Sequence, residues 1–239
     1  MKSLVMLSGG LDSTVTSCIA RSELELDKDE LHAISFSYGQ RHGEKELKQA
    51  NLVGKTLGVK SHQFVRIPFN ENFFQGSTSL VVGDNKEFDV PEPTKVATES
   101  GIPDTWVPQR NMLFLTYAFG YADTIEADKV YTGFNAVDYS GYPDCRPEFV
   151  LAAAQALNLA RKRFVEEGHT ISIETPIIAM SKAKIIRAGL TLDAPFSLTY
   201  SCYYGGEKAC GKCDSCRIRL EAFETIGMKD PTDYQDAYN

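Results

Sequence analysis

"SGGLDST", residues 8 to 14, follows the apolar run Leu4-Val5-Met6-Leu7, and the reading of this stretch decides the fold. A strand that ends on a glycine pair and enters a helix at Leu11-Asp12-Ser13 lines up successive backbone N–H groups at a helix N-terminus. No Cβ obstructs them, and an anion binds in such a place. Ser8, Ser13 and Thr14 add hydroxyl donors to the Gly9-Gly10 backbone. Phosphate loops of the GxxxxGK[ST] kind put a lysine on the terminal phosphates, and none stands here. The cargo this loop suits is the pyrophosphate portion of ATP, with Asp12 near enough to help hold a Mg²⁺ that offsets the charge. Such an arrangement fits attack at the α-phosphorus with pyrophosphate leaving. A glycine-rich turn with an aspartate for capping alone is the plainer alternative, and the order strand, SGGxDS, helix disfavours it.

Outward from the loop, β and α patterns alternate. Ser3 to Leu7 reads as a buried strand, Leu11 to Arg21 as a helix and Leu31 to Ser37 as a second strand; Glu44 to Leu57 is a helix stopped by Gly58, and Ser61 to Ile67 a third strand. Farther on come an apolar helix from Asn111 to Ile125, a strand over Lys129 to Thr132, a helix from Pro147 to Phe164 and a strand over Ile171 to Glu174. Strands separated by helices predict a doubly wound, Rossmann-like parallel sheet, which binds ligands beyond the carboxyl ends of its strands. There "SGGLDST", "SYGQRH", "TGFNAVDYSGYPD" and "TPI" all fall. The stretch from about 70 to 108 is too long for an ordinary connection and reads as a lid or mobile insertion. We expect a nucleotide-binding α/β domain over 1–195 and a cysteine-bearing segment with a helix over 196–239.

Composition narrows the setting. At 239 residues and 43% hydrophobic content the chain has ample core for one large domain. It carries no run near the ~20 apolar residues of a membrane span and opens without a secretory leader, which points to the cytoplasm and no membrane partner. A net charge of −7 repels extended polyanions, so a small-molecule substrate is expected and a nucleic-acid partner is not.

Of six cysteines, Cys202, Cys210, Cys213 and Cys216 crowd together as C-x7-C-x2-C-x2-C. Four thiolates closing on one ion make a structural tetrahedral Zn²⁺ site, one per chain. An iron–sulfur cluster is the rival, but the fourth Cys-Pro of the ferredoxin run is missing; a redox thiol pair would leave two cysteines unused. Cys18 reads as core packing, and Cys145 as a bystander.

SGGLDS resembles the pyrophosphate-binding loop of the adenylating ATP pyrophosphatases, whose fold is the adenine nucleotide alpha hydrolase type. Within them "SYGQRHGEKE" (37–46), "VPQRN" (107–111), "GFNAVDYSGYPDCRPEF" (133–149) and the cysteine cluster led by "SLTYSC" resemble the 7-cyano-7-deazaguanine synthase family of queuosine biosynthesis. The resemblance runs from residue 3 to 216. It implies a ligase that activates 7-carboxy-7-deazaguanine with ATP as an acyl adenylate, takes ammonia to the amide and uses a second ATP to reach the nitrile. It also implies a homodimer. Adenylation needs phosphate charge neutralised and water excluded. Arg110 and Lys182 are the candidates, with Asp12, for that work; Lys182 opens a helix after "TPIIAMS", against the helix dipole. In the substrate stretch we expect Asn135 at the site, Asp138 and Asp144 on the amino edge of the base and Tyr139 and Tyr142 stacking or donating hydroxyls, although 138–143 also has plain turn composition. Gln40, Arg41 and His42 should lie near the nucleotide, His42 as a surface histidine without a proton-transfer role. The functional rivals are a nucleotide-binding zinc module that recruits a partner or modifies tRNA, and another amide-forming ligase.

Overall fold

The computed structural model describes residues 1–25, 28–68, 78, 80–81, 102–103, 105–137 and 142–235. Its frame is a five-stranded, all-parallel sheet built from β1 (Lys2–Met6), β2 (Glu30–Ser37), β3 (Ser61–Arg66), β4 (Lys129–Tyr131) and β5 (Ser172–Glu174), in the order β3-β2-β1-β4-β5. The helices are α1 (Leu11–Ser22), α2 (Gly43–Thr56), α3 (Arg110–Thr124), α4 (Pro147–Leu159), α5 (Lys162–Glu167), α6 (Lys182–Thr191) and α7 (Asp214–Thr225).

The period-2 alternation of the central strands sorts these helices onto two faces. Leu4 and Met6 of β1, with Ile34 and Phe36 of β2, point to one side and pack with Leu115, Ala118 and Phe119 of α3 and Val150 of α4. Val5 and Leu7, with Leu31 and Ala33, point to the other and meet Ala20 of α1 and Ala50 and Val53 of α2. A third core joins Leu11 and Val15 of α1 to Ile185 and Ile186 of α6 and Phe223 of α7. Both faces of the sheet are therefore covered, as the near-continuous apolar strands require. The expected doubly wound α/β architecture is the one found.

Strand order reverses at β1, between β2 and β4, and a crevice opens there beyond the strand ends. Glycines let the surrounding elements close on it. Gly9 has φ +81, and a Cβ on it would lie 2.6 Å from the Ala50 backbone nitrogen and 2.7 Å from the Glu46 carbonyl, so α2 packs directly on the loop. A Cβ on Gly133, just after β4, would come within 2.9 Å of the Ser13 nitrogen.

The helix expected to run unbroken from Pro147 to Phe164 is two helices. Arg161, in extended conformation (ψ 138), separates α4 from α5. Its buried guanidinium donates to Asp123 Oδ1 (2.6 and 3.0 Å), to Asn158 Oδ1 (2.8 Å) and to the His169 carbonyl (3.2 Å). A fork satisfied from three sides outweighs one more helical turn. The expected lid over 70–108 falls mostly outside the described residues, as do Asp138 and Tyr139.

Candidate active site

A cavity of about 310 Å³ occupies the crevice, in the size range of small-molecule sites. First-turn residues of five helices line it: Leu11, Asp12 and Ser13 of α1, Glu46 of α2, Arg110 and Asn111 of α3, Lys182 of α6 and Ser215 of α7. In a parallel sheet a helix that follows a strand starts at the carboxyl edge, so the positive dipole ends of α1, α2, α3 and α6 converge there, and α7 is brought to them by the cysteine segment. Arg110 and Lys182 each open a helix, where a cation opposes the dipole. Two such cations and the converging helix N-termini favour an anion there, with Lys182 held by Asp12 in its absence.

The loop is ordered by its own hydroxyls. Ser8 N–H donates to Ser13 Oγ (3.2 Å), the two hydroxyls are 3.0 Å apart, and Gly10 N–H leans on Ser8 Oγ (3.3 Å). No side chain caps α1, so its leading N–H groups are left for a ligand. Ser8, Gly10, Leu11, Asp12 and Ser13 line the cavity. Gly9 backs against α2 as described, and Thr14 is fully buried, so these two shape the loop from behind. Lys182 Nζ bonds both Asp12 oxygens at 2.7 Å.

Arg110 donates to the Tyr38 hydroxyl (3.2 Å) and lies over that ring. Burial works against its charge, but Tyr38, Tyr142 and Asp144 hold the guanidinium protonated. Beside Arg110 the lining is aromatic: Phe36 stacks on Phe114 with centroids 4.3 Å apart, and Phe134, Tyr142 and Tyr203 add to it. A flat heterocycle can stack against such rings.

The expected substrate residues are used in different ways. Asn135 lines the cavity, yet its amide binds the carbonyls of Ile177 (2.8 Å) and Met180 (2.7 Å), tying the end of β4 to the turn that delivers Lys182. Tyr142 lines it with its hydroxyl 2.5 Å from Thr105 Oγ1. Asp144 is not among the lining residues; buried behind Arg110, it accepts the Asn111 backbone N–H (3.3 Å) in the first turn of α3. Burial pushes the Cys145 thiol up to about 11, which favours the neutral thiol at neutral pH.

Gln40 and His42 do line the cavity, but His42 is buried, not the surface histidine expected. Its Nε2 is 3.5 Å from Glu46, one helical turn on, and its ring packs against Tyr203. Sequence reasoning also missed Tyr200, Ser201 and Arg219, which reach the same cavity from the C-terminal segment. A signal existed for Arg219: it follows Cys216 at i+3 on one helix and so shares its buried face.

The four clustered cysteines are all buried, and their sulfurs lie within 4.8 Å of one another. Bonds of about 2.3 Å at tetrahedral angles set sulfurs about 3.8 Å apart, and Cys210 and Cys216 sulfurs are separated by 3.9 Å. Backbone N–H groups of Cys210 and Tyr204 point at Cys202 Sγ (3.3 and 3.5 Å), and those of Lys212 and Cys213 at Cys210 Sγ (3.3 Å each). The donor set fits one thiolate-bound metal ion.

The family model described as "Queuosine biosynthesis protein QueC" matches residues 2–227. The chain belongs to the QueC family. Relatives named 7-cyano-7-deazaguanine synthase include those of Trichormus variabilis and Cellvibrio japonicus, each 45% identical over 235 residues. They cover 98% of this QueC chain and 98% and 97% of their own lengths. A third, from Acetivibrio thermocellus, is 44% identical over 98% of both chains. Among solved structures, the U34-tRNA thiolase NcsA from Methanococcus maripaludis with its [4Fe-4S] cluster superposes at a TM-score of 0.48 with 14% identity, over 95% of this chain and 67% of that one. Among the described residues of this QueC chain, no helix is long and apolar enough to cross a membrane.

Proposed function

We propose that this chain is a 7-cyano-7-deazaguanine synthase, an ATP-dependent carbon–nitrogen ligase of queuosine biosynthesis. The observation that carries the reading is the cavity itself, whose lining brings together the SGGLDS loop, Arg110, the Asp12–Lys182 pair and a group of aromatic rings. The charged and N–H groups suit a polyphosphate and the rings a fused bicyclic base.

In this reading the carboxylate of 7-carboxy-7-deazaguanine attacks the α-phosphorus of ATP, forming the acyl adenylate and releasing pyrophosphate. Ammonia adds to the acyl carbon, AMP leaves, and the amide remains after loss of a proton. The amide oxygen then takes a second adenylyl group, with release of pyrophosphate and one N–H proton, and loss of AMP with the remaining N–H proton leaves the nitrile. Leu11, Asp12 and Ser13 N–H groups and the loop hydroxyls hold the leaving pyrophosphate, while Arg110 and Lys182 stabilise charge developing at phosphorus. Mg²⁺ arriving with ATP would offset phosphate charge, and Asp12, paired with Lys182 before the nucleotide enters, is the carboxylate that would hold it. The base lies against Phe114, Phe134 and Tyr142, with Asn135, Asp138, Tyr139 and Asp144 in its recognition stretch.

Zn²⁺, one per chain, is the ion we assign to Cys202, Cys210, Cys213 and Cys216, as the structural element of the 196–239 segment beside the 1–195 nucleotide-binding domain. Sulfurs this close favour a single ion, because a multi-iron cluster puts each thiolate on a different iron and spreads them. A cytoplasmic homodimer that takes free ammonia, with no nucleic-acid or membrane partner, completes the proposal.

Incubation with ATP, Mg²⁺, ammonium and 7-carboxy-7-deazaguanine, followed by mass spectrometry, tests it. Two AMP and two pyrophosphate per nitrile are expected. ADP and phosphate as direct products, or no change in the base, would sink it.

A further inference from the structure

One side chain links the helix of the cysteine cluster to the strap that meets the phosphate loop. Arg219, 2% exposed, lies one turn beyond Cys216 on α7. Its Nε and Nη2 grip Asp230 in a two-bond fork (2.7 and 3.0 Å). The remaining donors go to a short strap: Nη1 to Thr199 Oγ1 (2.6 Å) and Ser201 Oγ (3.4 Å), and Nη2 to the Phe196 carbonyl (3.3 Å). Asp230 is itself tied by Thr232 N–H (2.9 Å) and the Tyr234 hydroxyl (2.7 Å), so the guanidinium is anchored on one side and pulls on the other.

Between the gripped residues, Tyr200 donates its backbone N–H to the Gly9 carbonyl (2.9 Å). Because the trans peptide is planar, fixing the Gly9 carbonyl also fixes the opposite direction of the Gly10 N–H, which lies at the cavity wall. The strap ends at Cys202, the first thiol of the cluster.

We propose that Arg219 is a positioning residue for the phosphate-binding loop: by clamping Thr199 and Ser201 it holds Tyr200 against Gly9 and keeps the glycine pair in its anion-binding pose. The proposal rests on the reading that this loop takes the nucleotide phosphates. Lysine keeps the charge at this position, but its three donors on one nitrogen cannot reproduce the Asp230 fork together with the strap bonds.

The test compares metal-replete wild type and Arg219→Lys by titration calorimetry with Mg²⁺-pyrophosphate and, separately, with 7-carboxy-7-deazaguanine, alongside metal analysis. The expected result is a loss of about tenfold in pyrophosphate affinity, the scale of one or two hydrogen bonds, with metal content and base affinity unchanged. Thr199→Val, which leaves the Asp230 fork intact and is not itself a lining residue, should show a smaller loss of the same selective kind. It decides the matter if Arg219→Lys does not fold. Unchanged pyrophosphate affinity in the variants, equal losses for both ligands, or metal loss would each overturn the positioning role. A wild type that ignores pyrophosphate but binds the base would instead overturn the reading of the loop.

Discussion

Lys182 Nζ sits 2.7 Å from both carboxylate oxygens of Asp12, across 170 residues of sequence. The pair joins the first turns of α1 and α6 and keeps a cation and a carboxylate ready at the cavity wall without net charge. Lys182→Met should therefore lower AMP formation by about 10²- to 10³-fold, as removal of a preorganised charge does. The pair is part exposed, so stability should change by about 1 kcal/mol at most. Asp12→Asn should likewise lose most turnover and keep its fold. Adenylation that survives Lys182→Met undiminished would remove the lysine from the chemistry.

Gly133→Ala tests whether the end of β4 supports the loop. The new methyl would press on the Ser13 nitrogen, which is backbone and cannot swing aside. ATP affinity should drop more than overall stability, as ligand titration beside a denaturant melt can show. Equal ATP affinity would mean that the contact relaxes without moving the loop.

Thiolate ligation contributes folding energy. Cys213→Ala should lose its metal and melt lower or fail to stay soluble, and prolonged chelation of the wild type should move it the same way. Elemental analysis of the intact protein should find zinc at one per chain; iron with acid-labile sulfide would reverse the assignment.

Acid sensitivity should arise partly at β3. Burial holds His62 down to about 4, against 6.5 for an ordinary histidine, and lowers His32 as well. The unfolded chain takes up these protons near the ordinary value and the native chain only at lower pH. Stability should thus fall as pH drops from about 6.5 toward about 4 and level off, for these groups, below that. His62→Gln should flatten part of this slope in melting temperature against pH. A slope unchanged by that substitution would locate the effect elsewhere.

What the sequence discloses is what local pattern encodes. The alternation of Leu4 and Met6 with Val5 and Leu7, the glycine pair and the cysteine spacing each act over a few residues, and from them the sheet, the loop and the thiol cluster were legible. The rest depends on distant partners. Arg161 breaks a helix because Asp123 and His169 complete its fork; Arg219 draws on Phe196, Thr199 and Asp230; His42 is buried because Tyr203 and the close approach of Gly205 cover it. Asp144 reads as a ligand group by composition, and only the position of α3 turns it into a cap.

The reversal of strand order at β1 divides labour within the molecule. The loop assigned to the pyrophosphate hangs from the central strand, with Arg110 and Lys182 brought to the same cavity by α3 and α6, whereas the stretch assigned to the base grows from β4, which meets β1 along three residue pairs. The base stretch thus enters the cavity from a different strand than the loop does. A scaffold of this kind can be retargeted to another carboxylate by rebuilding the loops after β4, with the adenylating machinery left as it stands.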